Sequence, residues 1–509
     1  MKKHNIFKVV LIALLVIVLL TWMIPIGYYS SQTGFVNEGL SQVGLFDLSS
    51  YSITVFAYFG YIAIFILIVG GFYGVLNKVA AYRTMLDKLA SAFKGKEVVV
   101  LSIIMVLIAL LTSLCGLQLG LIIFFPMLVS LILLMGYDKI VAALAIVGST
   151  MIGILGTTLG YNNTGVIYSV LTGSKFTDDM LVKCILLFLG MVLLIFNTIM
   201  YIRKVKKSDN ASAVKKVTAK ETKKTTKTAK AKSSKETKAA AKEEKVIVVT
   251  ETEEEDSYVP AAVSGEKHVV WPLVVVLSLI FIIMVLAFIS WAGAFNSQVM
   301  NDATTAVSEF EIFGFPIFGK LLGTLNPFGS WSVLDLCVVL IVFMLIIALI
   351  YKVKFDDLID GFIKGAKRAL GPAVIVSLLY LILVITTYHS FQMVIYDAIL
   401  GLTDGFNVFT TFIVAILSAL FNVDTLYAFQ SSLPYVAGIV SNADNYPLIA
   451  VVYQAAYGLV MLIAPTSIIL MGVLSYLKIS YGKWFKTIWK LLLELLVLLL
   501  IVFTILILI

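Results

Sequence analysis

The chain has 509 residues, of which 60% are hydrophobic and 13% are charged, and its mean hydropathy is +1.02. A soluble protein of average composition is about half apolar and about a quarter charged. This composition therefore excludes an ordinary soluble domain and indicates a polytopic membrane protein. Most of the net charge of +8 comes from one hydrophilic stretch, roughly 203–245, so it does not indicate binding to nucleic acid.

The N-terminus, Met1-Lys2-Lys3-His4, precedes an apolar run without a small-residue cleavage site, so we interpret this run as an uncleaved first span. Since a helix crosses a bilayer core in about 20 apolar residues, the sequence predicts an all-α polytopic membrane protein with about 10–12 transmembrane helices. The predicted spans are 5–29, 52–76, 97–115, 139–158, 181–202, 270–292, 333–352, 370–388, 406–421, 447–478 and 486–509.

Two further apolar segments, 114–136 and 422–441, have an irregular composition. We expect both to be re-entrant hairpins, and an ordinary kinked helix is the alternative for each. The first is interrupted by Gly116, Gln118, Gly120 and Pro126. The second is interrupted by Asn422, Asp424, Gln430, Ser431, Ser432 and Pro434.

Two spans are interrupted by polar residues at membrane depth. The predicted broken helix 139–170 contains the run 156–165, and the predicted broken helix 447–478 contains the run 464–467. Unwound backbone survives inside lipid only where it lines a protein-enclosed cavity. A matched pair of such spans is typical of the binding site of a secondary transporter. The predicted hinge residues are Gly156, Gly160, Gly165, Gly458 and Pro465.

The two halves of the chain carry the same series of predicted elements. Residues 1–204 form the first membrane repeat, with an amphipathic interfacial stretch at 78–96. Residues 268–332 add an extra helix and an extracytoplasmic loop, and residues 333–509 form the second repeat. The first amphipathic stretch is basic and its counterpart at 391–400 is acidic, so the positive-inside rule places them on opposite sides. This opposite placement predicts inverted repeats.

The charge cues conflict in the first repeat. Lys2 and Lys3 place the N-terminus inside, and the basic run 203–207 places the next segment inside as well. Five predicted spans separate them, and an odd number of crossings would place them on opposite sides of the membrane. Either 114–136 crosses the membrane fully or one charge cue misleads.

Residues 205–267 form a long hydrophilic segment that is rich in lysine and threonine first and acidic towards its end. It has almost no aromatic residues and cannot bury a core, so we expect a disordered linker. A plain tether is the simplest interpretation, and contact of its lysines with anionic lipid is the alternative. The three cysteines and three histidines are scattered without metal-ligand spacing, so we expect no metal site. For His389 we favour a structural role over a proton relay.

Six runs of the chain form a recognisable pattern: Thr21-Trp22-Met23-Ile24-Pro25-Ile26-Gly27, Gly136-Tyr137-Asp138, Tyr453-Gln454, Pro465-Thr466-Ser467, Leu470-Met471-Gly472-Val473-Leu474 and the run 478–486. Together these runs resemble the four-carbon dicarboxylate anaerobic carrier family of the DcuC/YfcC type. Members of its YfcC branch are often labelled basic amino acid antiporters. The resemblance implies membership of the ion transporter superfamily, a scaffold with a mobile transport domain, an elevator-type mechanism and a homodimer.

The chain departs from the family pattern at the positions where the resemblance places the site. The first hairpin has Leu119-Gly120 where the family tends to show a glutamate pair, and the first break has Gly160-Tyr161-Asn162 instead of Asn-Pro-Phe. The second hairpin and second broken helix also lack the family's glycine-rich runs. The resemblance therefore implies the fold but not the inherited substrate.

Candidate ligands for a substrate lie at the breaks and in the second hairpin, because broken helices expose backbone groups without an intrahelical partner. The alternative is that these polar side chains only satisfy local backbone. The predicted substrate-binding residues are Thr157, Thr158, Asn162, Asn163, Thr164, Gln430, Ser431, Ser432, Gln454, Tyr457, Thr466 and Ser467. The predicted ion-coupling residues are Asp424 and Asn422. A carboxylate at membrane depth is expensive and indicates function, unless Asp424 lies in an interfacial loop.

We therefore expect a multi-pass secondary active transporter in a bacterial plasma membrane. It would move a small organic anion or an amino acid, coupled to exchange or to a gradient of Na⁺ or H⁺, without another cofactor. No nucleotide-binding or hydrolase motif occurs, so we expect no enzyme. The alternatives are a transport-inactive scaffold or sensor acting through the 205–267 linker, and an ion channel.

Overall fold

The computed structural model describes residues 5–30, 32–228, 258–261 and 268–508, and for 206–228 it describes the backbone alone. The first half contains α1 (Asn5–Met23), β1 (Ile26–Ser30), β2 (Gly34–Gly39), α2 (Leu45–Leu76), α3 (Ala80–Ala92), α4 (Glu97–Cys115), α5 (Phe125–Leu134), α6 (Lys139–Ala143), α7 (Ser149–Leu155), α8 (Tyr161–Val170) and α9 (Met180–Thr228). A 3₁₀ turn, Gly120–Phe124, precedes α5, and a π-helical turn, Leu144–Gly148, joins α6 to α7.

The second half begins after the hydrophilic segment. It contains α10 (Trp271–Phe288), α11 (Trp291–Phe295), α12 (Val299–Glu309), β3 (Glu311–Ile312), β4 (Phe315–Pro316), α13 (Ile317–Leu322), α14 (Val333–Ile350), α15 (Phe355–Tyr388), α16 (Gln392–Leu400), α17 (Val408–Phe421), α18 (Thr425–Ile439), α19 (Tyr446–Val460), α20 (Ile468–Leu477) and α21 (Tyr481–Leu508). The strands form two small antiparallel hairpins, β1–β2 and β3–β4.

Eight helices within the described ranges are long and apolar enough to cross a membrane, namely α1, α2, α4, the part of α9 up to Val205, α10, α14, α15 and α21. Further apolar helices of 10–17 residues lie at Gly120–Leu134, Lys139–Leu155, Val408–Phe421 and Ile468–Leu477. The prediction of an all-α polytopic membrane protein is confirmed. The shorter helices belong to the hairpins and the broken spans.

Each hairpin begins earlier in the chain than the sequence indicated. α17 and α18 pack against each other and turn at 422–424, so the predicted span 406–421 is the first arm of the second hairpin. In the first hairpin, α4 ends at Cys115, and the chain turns at Gly116 and continues through α5 to Tyr137, which lies near Glu97 at the start of α4. The predicted span 97–115 is therefore also a hairpin arm. Because this hairpin returns to the side where it started, it adds no crossing, and the parity conflict disappears.

Two long membrane helices, α2 and α15, pack with their backbones in contact. Gly70 and Gly74 of α2 face Gly361 and Gly365 of α15, and a Cβ atom placed on Gly74 would lie 2.0 Å from the carbonyl oxygen of Gly361. Small residues four apart on two facing helices allow this close approach in membranes. We call this contact the glycine seam.

Polar contacts tie the helix ends together. At one end Lys78, after α2, pairs with Asp360 of α15 at 2.9 Å. At the opposite end the Nδ1–H group of His389 donates to the Ser41 carbonyl oxygen at 2.8 Å, and its Nε2 atom is hydrogen-bonded to the Tyr51 hydroxyl at 2.8 Å. His389 thus joins the ends of α2 and α15 in a contact that fits a structural histidine.

The hydrophilic segment is described only in part. α9 continues as a helix to Thr228, within the stretch that the composition predicts to be disordered. The remainder of the predicted linker lies outside the described residues, except for Tyr258–Ala261, which packs against the helices.

Candidate functional site

The first break is joined to the tip of the first hairpin through Ser113, near the end of α4. The Ser113 hydroxyl donates to the carbonyl oxygen of Gly156 at 2.7 Å and accepts from the backbone N–H of Thr158 at 3.1 Å. Its carbonyl oxygen accepts from the N–H groups of Thr158 and Gly160, at 3.1 and 2.8 Å. The hairpin therefore satisfies the backbone that is released between α7 and α8, as burial requires.

The same hairpin tip approaches the start of α8 closely. Gly116 has a φ of +68°, and a Cβ atom on Gly160 would lie 2.9 Å from the Gly116 nitrogen, so both positions require glycine. Beside them the Gln118 amide donates to the Asn163 side-chain oxygen at 2.6 Å, and the Asn163 amide donates to the Thr112 carbonyl oxygen at 3.2 Å. Two amide side chains thus line this part of the site.

The second break meets the second hairpin in a similar way. α19 ends at Val460, and α20 starts after Ser467, whose hydroxyl caps it by accepting from the backbone of Leu470 at 3.4 Å. The Thr466 hydroxyl donates to the Leu420 carbonyl oxygen at 3.0 Å. Each break is therefore held by a hairpin from its own half of the chain.

The two broken helices also touch each other, and this contact joins both halves into one site. The Gln454 side chain of α19 donates from Nε2 to the carbonyl oxygen of Thr157 at 3.3 Å. A Cβ atom on Gly458 would lie 2.6 Å from the Leu155 backbone and from the Met151 carbonyl oxygen, so α19 and α7 cross closely.

Gln454 is fully buried, and its Oε1 atom has no hydrogen-bond partner among the residues that the structure describes. A buried acceptor without a partner costs about 1–3 kcal/mol. An acceptor in this position needs a water, a cation or a donor group of a substrate. We call the region around Gln454, Thr157 and the two breaks the crossing site.

Several predicted binding residues instead stabilise the local structure. The Thr157 hydroxyl donates to the carbonyl oxygen of Ile154, in the last turn of α7, at 2.8 Å. The Asn422 amide donates to the Ser418 carbonyl oxygen at 2.8 Å and to the Ser431 hydroxyl at 3.2 Å, which closes the tip of the second hairpin. These contacts match the alternative in which polar groups satisfy nearby backbone.

Other side chains of the second hairpin are also engaged. Asp424 is the N-cap of α18, and its Oδ1 accepts from the backbone N–H of Tyr427 at 3.1 Å. Ser432 shares a hydrogen bond of 2.9 Å with the hydroxyl of Tyr453, one residue before Gln454. The Tyr457 hydroxyl lies 3.5 Å from the Val423 carbonyl oxygen. Asp424 is the one charged side chain among the predicted site residues.

Some predicted residues do not lie at the breaks. Gln430 is exposed on α18, and Asn162 is exposed and donates to the carbonyl oxygen of Phe288 in α10. Thr164 is buried inside α8. Of the predicted hinge residues, Gly165 and Gly458 lie within α8 and α19 and not in the breaks, and Gly458 packs closely against α7 there. Gly156, Gly160 and Pro465 do lie in the breaks.

Sequence reasoning missed Ser113 and Gln118 as site residues, although Gln118 was an irregularity of the hairpin. It also missed a carboxylate on a membrane helix, since Glu494 of α21 accepts from the Asn197 amide of α9 at 2.5 Å. A charged residue inside an apolar run is the sequence pattern that would have indicated Glu494. Within the described part of the chain, no group of three or more His, Cys, Asp or Glu residues could hold a metal ion.

The sequence model of the C4-dicarboxylate anaerobic carrier family matches residues 4–508. The chain belongs to this family. A curated relative, an uncharacterized protein of Haemophilus influenzae, is 30% identical over 151 residues, which are 30% of this chain and 30% of the relative. Among solved structures, the YdaH transporter of Alcanivorax borkumensis aligns over 99% of this chain and 97% of its own, at 13% identity and a TM-score of 0.39. The family and the apolar helices together show a multi-pass membrane protein of a carrier family.

Proposed function

We propose that this carrier is a secondary active transporter of a small organic anion or an amino acid in a bacterial plasma membrane. The observation that carries the proposal is the crossing site, where two interrupted membrane helices meet and the buried Gln454 Oε1 lacks a partner. Interrupted spans from corresponding halves of the chain form the substrate site in secondary transporters. Family membership supports the same class of protein.

The order of the elements supports two inverted repeats. After α2 come an interfacial helix, a hairpin, a broken span and a long helix, and the same series follows α15. The glycine seam pairs the last turn of α2 with the first turns of α15, so these two helices run in opposite directions. We infer that the basic end with α3 is cytoplasmic and that α16 lies outside. The hairpins then enter the membrane from opposite sides.

An elevator-type mechanism follows from this division by analogy of fold. The scaffold would contain α1, α2, α14 and α15, which include the glycine seam. The moving part would contain the two hairpins, the two broken helices and α9 and α21, which contact them. The resemblance to the carrier family also implies a homodimer, formed in the lipid bilayer through scaffold surfaces.

The chemistry of the crossing site suits a substrate with an anionic group. α8 and α20 both begin at the breaks, and helix N-termini favour negative charge. No lysine or arginine is among the predicted site residues, so a coupling cation would balance a dicarboxylate. The Gln454 Oε1 atom and the nearby backbone carbonyl oxygens are ligands of the kind that Na⁺ accepts. An amino acid, which brings its own ammonium group, is the second candidate.

Uptake by the purified protein in proteoliposomes tests the proposal. Saturable uptake of a dicarboxylate or an amino acid that depends on an ion gradient or on counter-substrate supports it. A protein that transports neither class, but binds a partner through residues 205–267, would instead be a scaffold or sensor.

Asp424 offers a separate test of ion coupling. Asparagine is as good an N-cap as aspartate, so Asp424→Asn removes the charge and keeps the cap of α18. We expect this variant to lose the ion dependence of uptake, whereas Asp444→Asn, in an exposed loop, keeps it. Unchanged ion dependence in Asp424→Asn would remove Asp424 from the coupling mechanism.

A further inference from the structure

A short segment within the hydrophilic stretch, Tyr258–Ala261, is docked against the helices. The Ser130 hydroxyl of α5 donates to the Tyr258 carbonyl oxygen at 2.6 Å. The Tyr258 hydroxyl in turn donates to the carbonyl oxygen of Tyr476 in α20 at 2.9 Å, and the two rings meet edge to face, 5.5 Å apart. Both the backbone and the side chain of Tyr258 are thus bound.

Basic side chains from three other elements surround the same segment. The Lys139 ammonium of α6 lies 4.3 Å from the centroid of the Tyr258 ring, and the Arg368 guanidinium of α15 lies 5.9 Å from it. Cations over an aromatic face are attracted by its electrons. Arg83 of α3 donates to the carbonyl oxygen of Pro260. Pro260 is buried, whereas Ala261, the next residue, is exposed.

The elements that bind the segment belong to two different sets, the proposed scaffold and the proposed moving part. α15 lies with the scaffold, while α5, α6 and α20 belong to the first hairpin and the two broken helices, and α3 packs on α5. Beside the segment these two sets are separated by an apolar crevice, which is lined by Val69, Pro126, Val129, Ala369, Gly472 and Tyr476. At this position the segment adds contacts between the two sets to the direct packing of α15 on α20.

We propose that this groove is an internal receptor for the chain's own Tyr258–Pro260 segment, and that the bound segment holds the two sets together and slows transport. The second part rests on the proposed function, because it requires the sets to move relative to each other. The occupant is the segment itself, recognised by a hydroxyl donor, a carbonyl acceptor, two cations over the ring and an arginine on the proline carbonyl. Loss of one such hydrogen bond changes an equilibrium by about two- to tenfold.

Binding of the segment is measured by thiol labelling, which needs no transport. In a background with Cys115, Cys184 and Cys337 replaced by alanine, Pro260→Cys should react slowly with a maleimide and Ala261→Cys rapidly. Adding Tyr258→Ala should bring the Pro260→Cys rate up to the Ala261→Cys rate. Equal rates at the two positions before that change would overturn the proposal.

The effect on transport is measured as initial uptake in proteoliposomes. Tyr258→Ala should raise the rate about two- to tenfold, and Tyr258→Phe, which keeps the ring over Lys139 and loses the bond to Tyr476, should give a smaller increase. Tyr28→Ala, an exposed tyrosine at the opposite end, is the matched control. A rate in Tyr258→Ala equal to that of Tyr28→Ala would show that the bound segment does not slow transport. If no protein, wild type included, takes up any substrate, the proposed function fails and the labelling rates alone decide whether the groove binds the segment.

Discussion

Replacing Gln454 by leucine should abolish the response of the protein to its coupling ion. Leucine has a similar volume and no polar atoms, so the substitution removes both the Nε2 donor to the Thr157 carbonyl oxygen and the unpartnered Oε1. The fold of α19 should survive, because Gln454 lies in the interior of this helix and leucine is a good helix former.

Two opposing terms set the stability of the variant without ions. The Thr157 carbonyl oxygen loses its donor, which costs about 1–3 kcal/mol, while removal of the lone Oε1 acceptor relieves a burial penalty of about the same size. Without the ion, we therefore expect the free energy of unfolding of the variant to lie within about 1 kcal/mol of the wild-type value. An ion that binds the folded wild type at a hundred times its Kd adds about 2.7 kcal/mol. The variant should lack that increment.

Thermal unfolding in detergent at constant ionic strength, with sodium chloride exchanged for choline chloride, measures both quantities. Gln430→Leu is the matched control, since Gln430 is an exposed glutamine on the neighbouring α18 and should keep the full sodium response. A sodium-induced shift in Gln454→Leu as large as in the wild type would refute the assignment of Oε1 as an ion ligand.

Two further substitutions test the packing that supports the site. Gly74→Ala places a methyl group 2.0 Å from the Gly361 carbonyl oxygen, so it should destabilise the protein by about 1–3 kcal/mol. Its control is Gly60→Ala in the same helix, where the nearest atom to the new methyl group is 3.9 Å away and the thermal unfolding temperature should not change. Ser113→Ala leaves the buried Gly156 carbonyl oxygen without its donor, while the Thr158 N–H keeps the Ser113 carbonyl oxygen, so the variant should lose about 1–3 kcal/mol of unfolding free energy in chemical unfolding. Ser102→Ala, which breaks only a bond within α4, is its control, and equal losses in the two variants would contradict the role of Ser113.

The breaks were predictable from the sequence because glycine, proline and polar residues interrupt runs that are otherwise apolar. The run 156–160 and the residues around Pro465 are indeed unwound. The hairpin arms were not predictable in the same way. The apolar stretch 97–115 has 19 residues, the length of a full span, and composition does not reveal that the chain turns back after Gly116.

The partners of the breaks were harder to predict than the breaks. A serine in an apolar helix usually bonds to the preceding turn, so nothing in the sequence distinguishes Ser113 from Ser102. Only the fold brings Ser113 beside Gly156 and Gln454 beside Thr157, because these pairs are 43 and 297 residues apart along the chain. Their contacts depend on tertiary packing, which one sequence does not encode in any local pattern.

The glycine seam constrains where movement can occur. At the seam the backbones of α2 and α15 are in contact, so turning α2 until a bulky neighbour of Gly74, such as Tyr73 or Val75, faced α15 would push that side chain into the opposing backbone. These two helices therefore behave as one rigid unit at the seam. If the hairpins move, they must therefore move along the other faces of this unit, where the contacts are between side chains.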